Sequence, residues 1–219
     1  MNEPVDTSKL DPATLARHLG NPEGEIGRAV IANLNISNAG GYSAALRKLT
    51  VNAGDRMIGF GNGREIPGVL SLAQDVSYFG LEISETMVAD AKTFNAEAIH
   101  QGRVTLVHGT SATIPADPGV FSKALALNTI YFWPNPVTDL KELRRVLQSG
   151  GRVVLGALAP KSAIGAVFQH GFRLYEETVI EELLNQAGLT RVSIDTIDET
   201  VVPPTDQPWN RDYFIIAAE

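Results

Sequence analysis

The sequence predicts an α/β protein in which a mostly parallel sheet is wrapped by helices, and three features lead there. From about residue 56 onward, short β-branched or apolar runs alternate with helical patterns, the order that builds parallel strands joined by crossover helices. Seven strand candidates follow one another at 56–60, 76–81, 103–108, 121–127, 152–158, 190–197 and 211–217. The last two are separated only by residues 198–210, which hold Pro203-Pro204 and Pro208 but no helical period. A connection without a helix predicts an antiparallel pair at the end of the sheet.

Taken in order, residues 1–50 carry helix-like pieces broken by Gly20-Asn21-Pro22-Glu23-Gly24 and Asn38-Ala39-Gly40-Gly41. They are expected to form a helical cap or lid ahead of a sheet domain over residues 51–219. The first strand runs into Gly59-Phe60-Gly61-Asn62-Gly63 and a helix with Pro67 in its first turn. After the second strand, Ser84 is placed to cap a helix whose apolar positions Met87, Ala91, Phe94 and Ala98 define one face, expected to lie on the sheet. After the fourth strand, Asn135-Pro136 reads as N-cap and first helical residue, Leu140, Leu143 and Leu147 as the buried stripe, and Gly150-Gly151 as the stop. A further helix over 178–187 stops at Gly188.

Composition narrows the function. At roughly 150 residues per domain, 219 residues amount to about one and a half domains. Twenty-five acidic against eighteen basic side chains leave a net charge of −7, which repels a phosphate backbone, so nucleic acid is not the expected partner. There is no cysteine, which excludes disulfides, thiolate metal sites and any cysteine nucleophile. His18, His100 and His108 form no metal-ligand spacing, and no metal is expected. Residues 1–6 lack the basic and then apolar pattern of a signal peptide, and the longest uncharged stretch, 29–46, is too polar to span a bilayer. The expectation is a cytoplasmic protein without a membrane span.

The strongest local signal is the strand, glycine turn and helix over 57–67. Glycines let the backbone turn sharply and approach a ligand, and free N–H groups at a helix start favour an anionic group. Glu82 stands at the end of the next strand, where a carboxylate accepts both hydroxyls of a ribose. The pattern is G-x-G-x-G with Arg64 next, and no Tyr has Lys four residues later, which disfavours a short-chain dehydrogenase.

Five blocks in fixed order carry a family resemblance: Gly59-Phe60-Gly61-Asn62-Gly63; 78–84, YFGLEIS; 108–115, HGTSATIP; 126–133, ALNTIYFW; and 143–151, LRRVLQSGG. Over roughly residues 50–219 the sequence resembles the class I S-adenosylmethionine-dependent methyltransferases, in particular the small-molecule branch that includes ubiquinone and menaquinone methyltransferases. The resemblance implies a Rossmann-like, doubly wound seven-stranded sheet with the last strand antiparallel, and S-adenosylmethionine (SAM) lying across the strand ends. It implies that Gly59, Gly61 and Gly63 pass under the methionine part, with Phe60 and Asn62 of the same turn among the cofactor contacts, that Glu82 binds the ribose and Ile83 touches the adenine, that Ser111 and Ala112 flank the adenine edge with Thr110 bonding its amino group, and that Asn128 and Thr129 line the gap to the acceptor. Two positions depart from the family pattern: Met57 stands where an acidic residue is usual, and Thr110 where an aspartate is common.

On the acceptor side, methyl transfer from a sulfonium needs alignment and a dry site more than a strong base. Tyr131 and Trp133 are candidates to wall an apolar acceptor. His170 lies in the loop after the fifth strand, and an imidazole is a side chain suited to proton abstraction. Tyr131 and His170 are the candidate catalytic residues; Tyr42, Trp133 and Tyr175 are the candidate acceptor contacts, with Asn38 and Tyr42 in the lid. Arg144 and Arg145 read as a solvated helix face. The leading reading is direct methyl transfer from SAM to a small molecule. The alternatives are a non-catalytic domain with weak or no cofactor binding, motivated by Met57 and Thr110, and a nucleotide-linked oxidoreductase, which rests on the glycine turn alone.

Overall fold

A computed structural model of the chain describes residues 5–201 and 208–219; Met1–Pro4 and the Pro203-Pro204 pair lie outside the described residues. The N-terminal segment forms three helices, α1 (Pro12–Gly20), α2 (Gly24–Ser37) and α3 (Ala39–Leu49). Strands and helices then alternate: β1 (Arg56–Phe60), α4 (Ile66–Leu70), β2 (Ser77–Glu82), α5 (Glu85–Phe94), α6 (Ala96–His100), β3 (Val104–His108) and β4 (Phe121–Leu127). The chain ends with α7 (Pro136–Val146), β5 (Leu147–Leu158), α8 (Glu177–Ala187), β6 (Arg191–Val201) and β7 (Trp209–Ala218).

These strands make one seven-stranded sheet in the order β3-β2-β1-β4-β5-β7-β6. β7 runs antiparallel to both neighbours, β5 and β6, and the other pairings are parallel. The expected fold and the antiparallel final hairpin are both present. Met57 and Ile58 on β1, Ala124 and Leu125 on β4, and Val153 and Val154 on β5 are buried because helices cover both faces of the sheet, as parallel strands require. β6 is the outer edge and alternates between half-buried and exposed positions.

The local signals account for most boundaries. Ser84 accepts the Met87 N–H, Asn135 accepts the Thr138 N–H with Pro136 next, and Gly188 closes α8 at φ 79°. Two expectations are corrected. α7 ends at Val146 and β5 begins at Leu147, so the Gly150-Gly151 pair sits inside the strand, where the β4–β5 register jumps between Phe121↔Leu147 and Lys123↔Arg152; Gly150 supplies the positive φ, 73°, of that irregularity. The face expected from Met87 to Ala98 breaks at Asn95, whose side chain bonds back to Ala91 O and across to Gly63 O. Phe94 therefore points outward, 46% exposed, beneath the Arg64 guanidinium.

The N-terminal segment divides by packing. Ala45 and Leu49 of α3 are fully buried in the same core as the central strands, so α3 belongs to the helical layer over β4, β5 and β7. α1 and α2 arch over the carboxyl ends of the parallel strands. They are clasped to α5 by the bidentate Arg28–Asp90 pair and by Gly24 N–H donating to Thr86, and to β7 by Arg211, which donates to Ser37 O and Asn38. Among the described residues no helix is long and apolar enough to cross a membrane.

Candidate functional site

The sheet order reverses between β1 and β4, and loops leaving the two strands in opposite directions open a crevice at their carboxyl ends. A cavity of about 660 Å³ lies there, roofed by α1 and α2, a size suited to a small-molecule ligand. Its ionisable lining is sparse: Arg17, Glu82, Asp139, His170 and the Tyr42 phenol.

The glycine turn forms one wall through Phe60, Gly61 and Asn62. Gly61 has φ 126°, a conformation that L side chains rarely adopt, and it faces open space in the cavity. Asn62 accepts the Arg64 N–H and donates 3.0 Å to Asn35 of α2, tying the turn to the roof. Gly59 and Gly63 are not among the lining residues. A methyl group on Gly59 would strike the Tyr78 hydroxyl, and one on Gly63 would crowd Ala91 and Ile66, so these two glycines serve packing beneath the turn.

Met57 is fully buried, and the acidic group of this region comes from elsewhere. Glu65 accepts a hydrogen bond of 2.7 Å from the Tyr78 hydroxyl, which lies over Gly59. Burial raises the Glu65 carboxyl above its ordinary range, opposed by its own backbone and by the Tyr78 and Tyr42 phenols. Sequence reasoning missed this residue, because only the parallel register Met57↔Tyr78 brings the tyrosine over the turn.

Glu82 ends β2 beside this wall. Its carboxylate accepts the Ser84 N–H at 2.8 Å, and burial pushes its pKa up to about 7 against the pull of the Ser84 and Ile83 amides. Ile83, next along, is 46% exposed and lines the cavity with an apolar surface. Thr110, Ser111 and Ala112 line the cavity in the loop after β3, which is anchored where Gly109 N–H donates to Glu82 O. α7 holds this loop along one face: Ser111 donates to Asp139, Ile114 N–H to Glu142, and Arg145 to the Ile114 and Ala116 carbonyls. Arg145 is thus a loop clamp rather than a solvated side chain.

The remaining walls are apolar. Ala13, Ala16 and Leu19 of α1 and Ile31 and Leu34 of α2 face the cavity from above. Trp133 lines it with its ring edge-on to Phe60, and Asn128, Thr129 and Tyr42 complete this side. His170 is exposed at the cavity mouth. Tyr131 does not reach the cavity. Its buried hydroxyl donates to Asn128 and accepts the Leu158 N–H, and burial raises its pKa well above 10. It holds Asn128 at φ 57°, a left-handed conformation rare outside glycine. Tyr175 packs against the core and lies outside the lining. The structure thus brings together Tyr42, Phe60, Gly61, Asn62, Glu82, Ile83, Thr110, Ser111, Ala112, Asn128, Thr129, Trp133 and His170 around one cavity, and leaves out Gly59, Gly63, Tyr131 and Tyr175.

Residues 57–155 match the methyltransferase domain family. The chain is 30% identical over 109 residues to the 27-O-demethylrifamycin SV methyltransferase of Amycolatopsis mediterranei strain S699, covering 49% of this chain and 40% of that protein. It is also 30% identical over 105 residues to the demethylmenaquinone methyltransferase of Bacillus mycoides strain KBAB4, covering 48% of this chain and 43% of that protein. The matches thus span less than half the length of these relatives. In fold, the chain is similar to the geranyl diphosphate C-methyltransferase of Streptomyces coelicolor A3(2), solved with Mg2+, geranyl diphosphate and S-adenosyl-L-homocysteine. The TM-score is 0.67 at 16% identity, over 92% of this chain and 85% of that one.

Proposed function

We propose that this chain, which carries a methyltransferase domain over residues 57–155, moves a methyl group from SAM to a small, largely apolar acceptor. The observation that carries this reading is one cavity holding a glycine turn, the half-buried Glu82 carboxylate and an apolar vault side by side. The residues present suit the cofactor. Gly61 leaves room for close approach, Glu82 offers an acceptor for ribose hydroxyls, Ile83 offers a bare apolar face to a base, and the buried Asp139 Oδ2 and Thr129 Oγ1 have no protein partner.

When bound, the cofactor supplies an electrophilic methyl group on a positively charged sulfur. The chain's part is alignment and exclusion of water. Glu82 fixes the ribose, Asn128 and Thr129 border the space between cofactor and acceptor, and α1 with α2 closes the vault. Ala13, Leu19, Leu34 and Trp133 favour an apolar acceptor, as do relatives named for rifamycin and menaquinone precursors. For an acceptor that must lose a proton, a ring nitrogen of His170 at the mouth receives it. Tyr131 acts through Asn128 rather than on the reacting atoms.

Calorimetric titration with SAM and with S-adenosylhomocysteine tests the reading, followed by an acceptor screen scored by homocysteine release. Micromolar binding of either nucleoside is expected; no heat at millimolar ligand overturns it. That outcome would favour the second reading, a domain that kept the fold and lost the cofactor, which the buried Met57 and the uncharged Thr110 support.

A further inference from the structure

Asn128 follows β4 at the crevice between β1 and β4, and it lines the cavity from a left-handed backbone, φ 57°. Its amide offers an oxygen on one side and an N–H2 group on the other, so its neighbours decide which of the two faces the cavity. Here a chain of hydrogen bonds decides. The Leu158 backbone N–H, which can only donate, takes the buried Tyr131 hydroxyl oxygen as its acceptor at 3.1 Å. The phenol hydrogen then needs an acceptor of its own, and Asn128 Oδ1 is the one it meets. Turning the amide over would set two donors against the phenol oxygen and leave the phenol hydrogen buried and unpaired, which is costly. Nδ2 therefore faces away from Tyr131.

Among the described residues Nδ2 makes no hydrogen bond, and it is not one of the buried polar atoms that lack a partner, so it reaches open space. The open space at this residue is the cavity. The Trp133 indole N–H, five residues on, is in the same condition: no partner among the described residues, not enclosed, and on a ring that lines the cavity. Thr129 Oγ1, between them in the chain, is buried out of reach. The segment after β4 thus shows the cavity two hydrogen-bond donors and no side-chain acceptor that is not already taken. No carboxylate is among the lining residues of α1, α2 and this segment. Such a surface binds lone pairs. An amine brings hydrogens of its own, and a positive charge when protonated, whereas an oxygen stripped of its proton suits the donors best, because a hydrogen bond to an ionised acceptor is about twice as strong as a neutral one.

Resting on the cofactor reading above, we propose that Asn128 selects the methyl acceptor: its Nδ2 group donates to an oxygen bound as the anion, so the acceptor is an apolar oxygen acid, a phenol or an enol, and not an amine. The acceptor's proton leaves through the mouth, to His170 or water, before transfer. The anion's electron pair then forms the bond to the methyl carbon as the carbon–sulfur bond breaks, and the electron pair of that bond stays on sulfur, leaving a neutral thioether.

The test uses pentafluorophenol, which is ionised at neutral pH, and pentafluoroaniline, its uncharged amine counterpart of nearly the same size. Each is titrated by fluorine NMR into the whole chain saturated with S-adenosylhomocysteine. The wild type is expected to bind the phenol at least about tenfold more tightly than the aniline. Asn128→Gly suits the positive φ and removes the donor without adding a charge, and is expected to cut that preference to about threefold or less. Asn128→Asp keeps the shape but puts an acceptor where the donor was, and is expected to abolish or reverse the preference. A wild type that shows no preference for the phenol overturns the inference whether or not the variants fold. So does an Asn128→Gly protein that keeps the full preference, which would assign the selectivity to Arg17 or His170. A wild type that fails to bind S-adenosylhomocysteine overturns the cofactor reading instead, an outcome read before either probe is added.

Discussion

Glu82 concentrates the chemistry of the site in one titration. Its carboxyl is raised to about 7 because burial disfavours the charge more than the Ser84 and Ile83 amides favour it. The ionised form, which offers acceptors only, is the one suited to two ribose hydroxyls. Cofactor affinity is therefore expected to rise with pH up to about 7 and level off above it, and Glu82→Gln to flatten that profile in calorimetry at several pH values. The same shift has a stability consequence of opposite sign. The folded state binds this proton more tightly than the unfolded one, so the contribution of Glu82 to stability is lost as pH rises from about 4.5 toward about 7. Glu82→Ala is expected to weaken SAM binding at least tenfold, about 1.4 kcal/mol; unchanged affinity would move the ribose elsewhere. Met57→Glu, by contrast, will not restore a family pattern. Position 57 is fully buried, so the new carboxylate is desolvated without a partner, and a large loss of melting temperature or of soluble protein is expected. Sequence alone suggests the reverse, because a departure from a family pattern does not reveal that Glu65 already occupies the region.

Among the elements, the roof is held by ion pairs of unequal weight. Arg28 and Asp90 are roughly two-fifths exposed, so their pair is expected to contribute no more than about 1 kcal/mol. Arg211 is 5% exposed and serves Glu199, Ser37 O and Asn38 together. Removing it leaves the partly exposed Glu199 carboxylate unpaired and the end of α2 uncapped. Arg211→Ala is expected to cost about 3–5 kcal/mol, on the order of 10 °C in Tm for a chain of this size, against a few degrees at most for Arg28→Ala. Equal shifts in thermal melts would contradict this ranking. The caps at Ser84, Asn135 and Gly188 are readable from sequence because a cap is a local hydrogen bond. The break at Asn95 is not, since it depends on a carbonyl of Gly63 that is distant in the chain.

For the whole molecule, stability grades outward from the sheet centre. β1, β4 and β5 are covered on both faces, β6 is an edge, and α1 and α2 reach the body largely through surface contacts and a few clasps. Hydrogen exchange is expected to be slowest in β4 and β5 and faster in β6, α1 and α2. S-adenosylhomocysteine is expected to slow α1 and α2 selectively, because they roof the cavity; uniform protection would argue against a lid.

The sequence by itself determined the element order, the antiparallel final hairpin, the glycine turn and Glu82, since each is written in short-range periodicity or in a spacing that one crossover unit spans. Only the tertiary structure decided which residues line the cavity. It withdrew Tyr131, Tyr175, Gly59 and Gly63 from the cavity, added Asp139 and the apolar face of α1, and paired Glu65 with Tyr78 beneath the glycine turn. Side-chain direction at those positions depends on register and helix packing between segments far apart in the chain, and no local pattern encodes it.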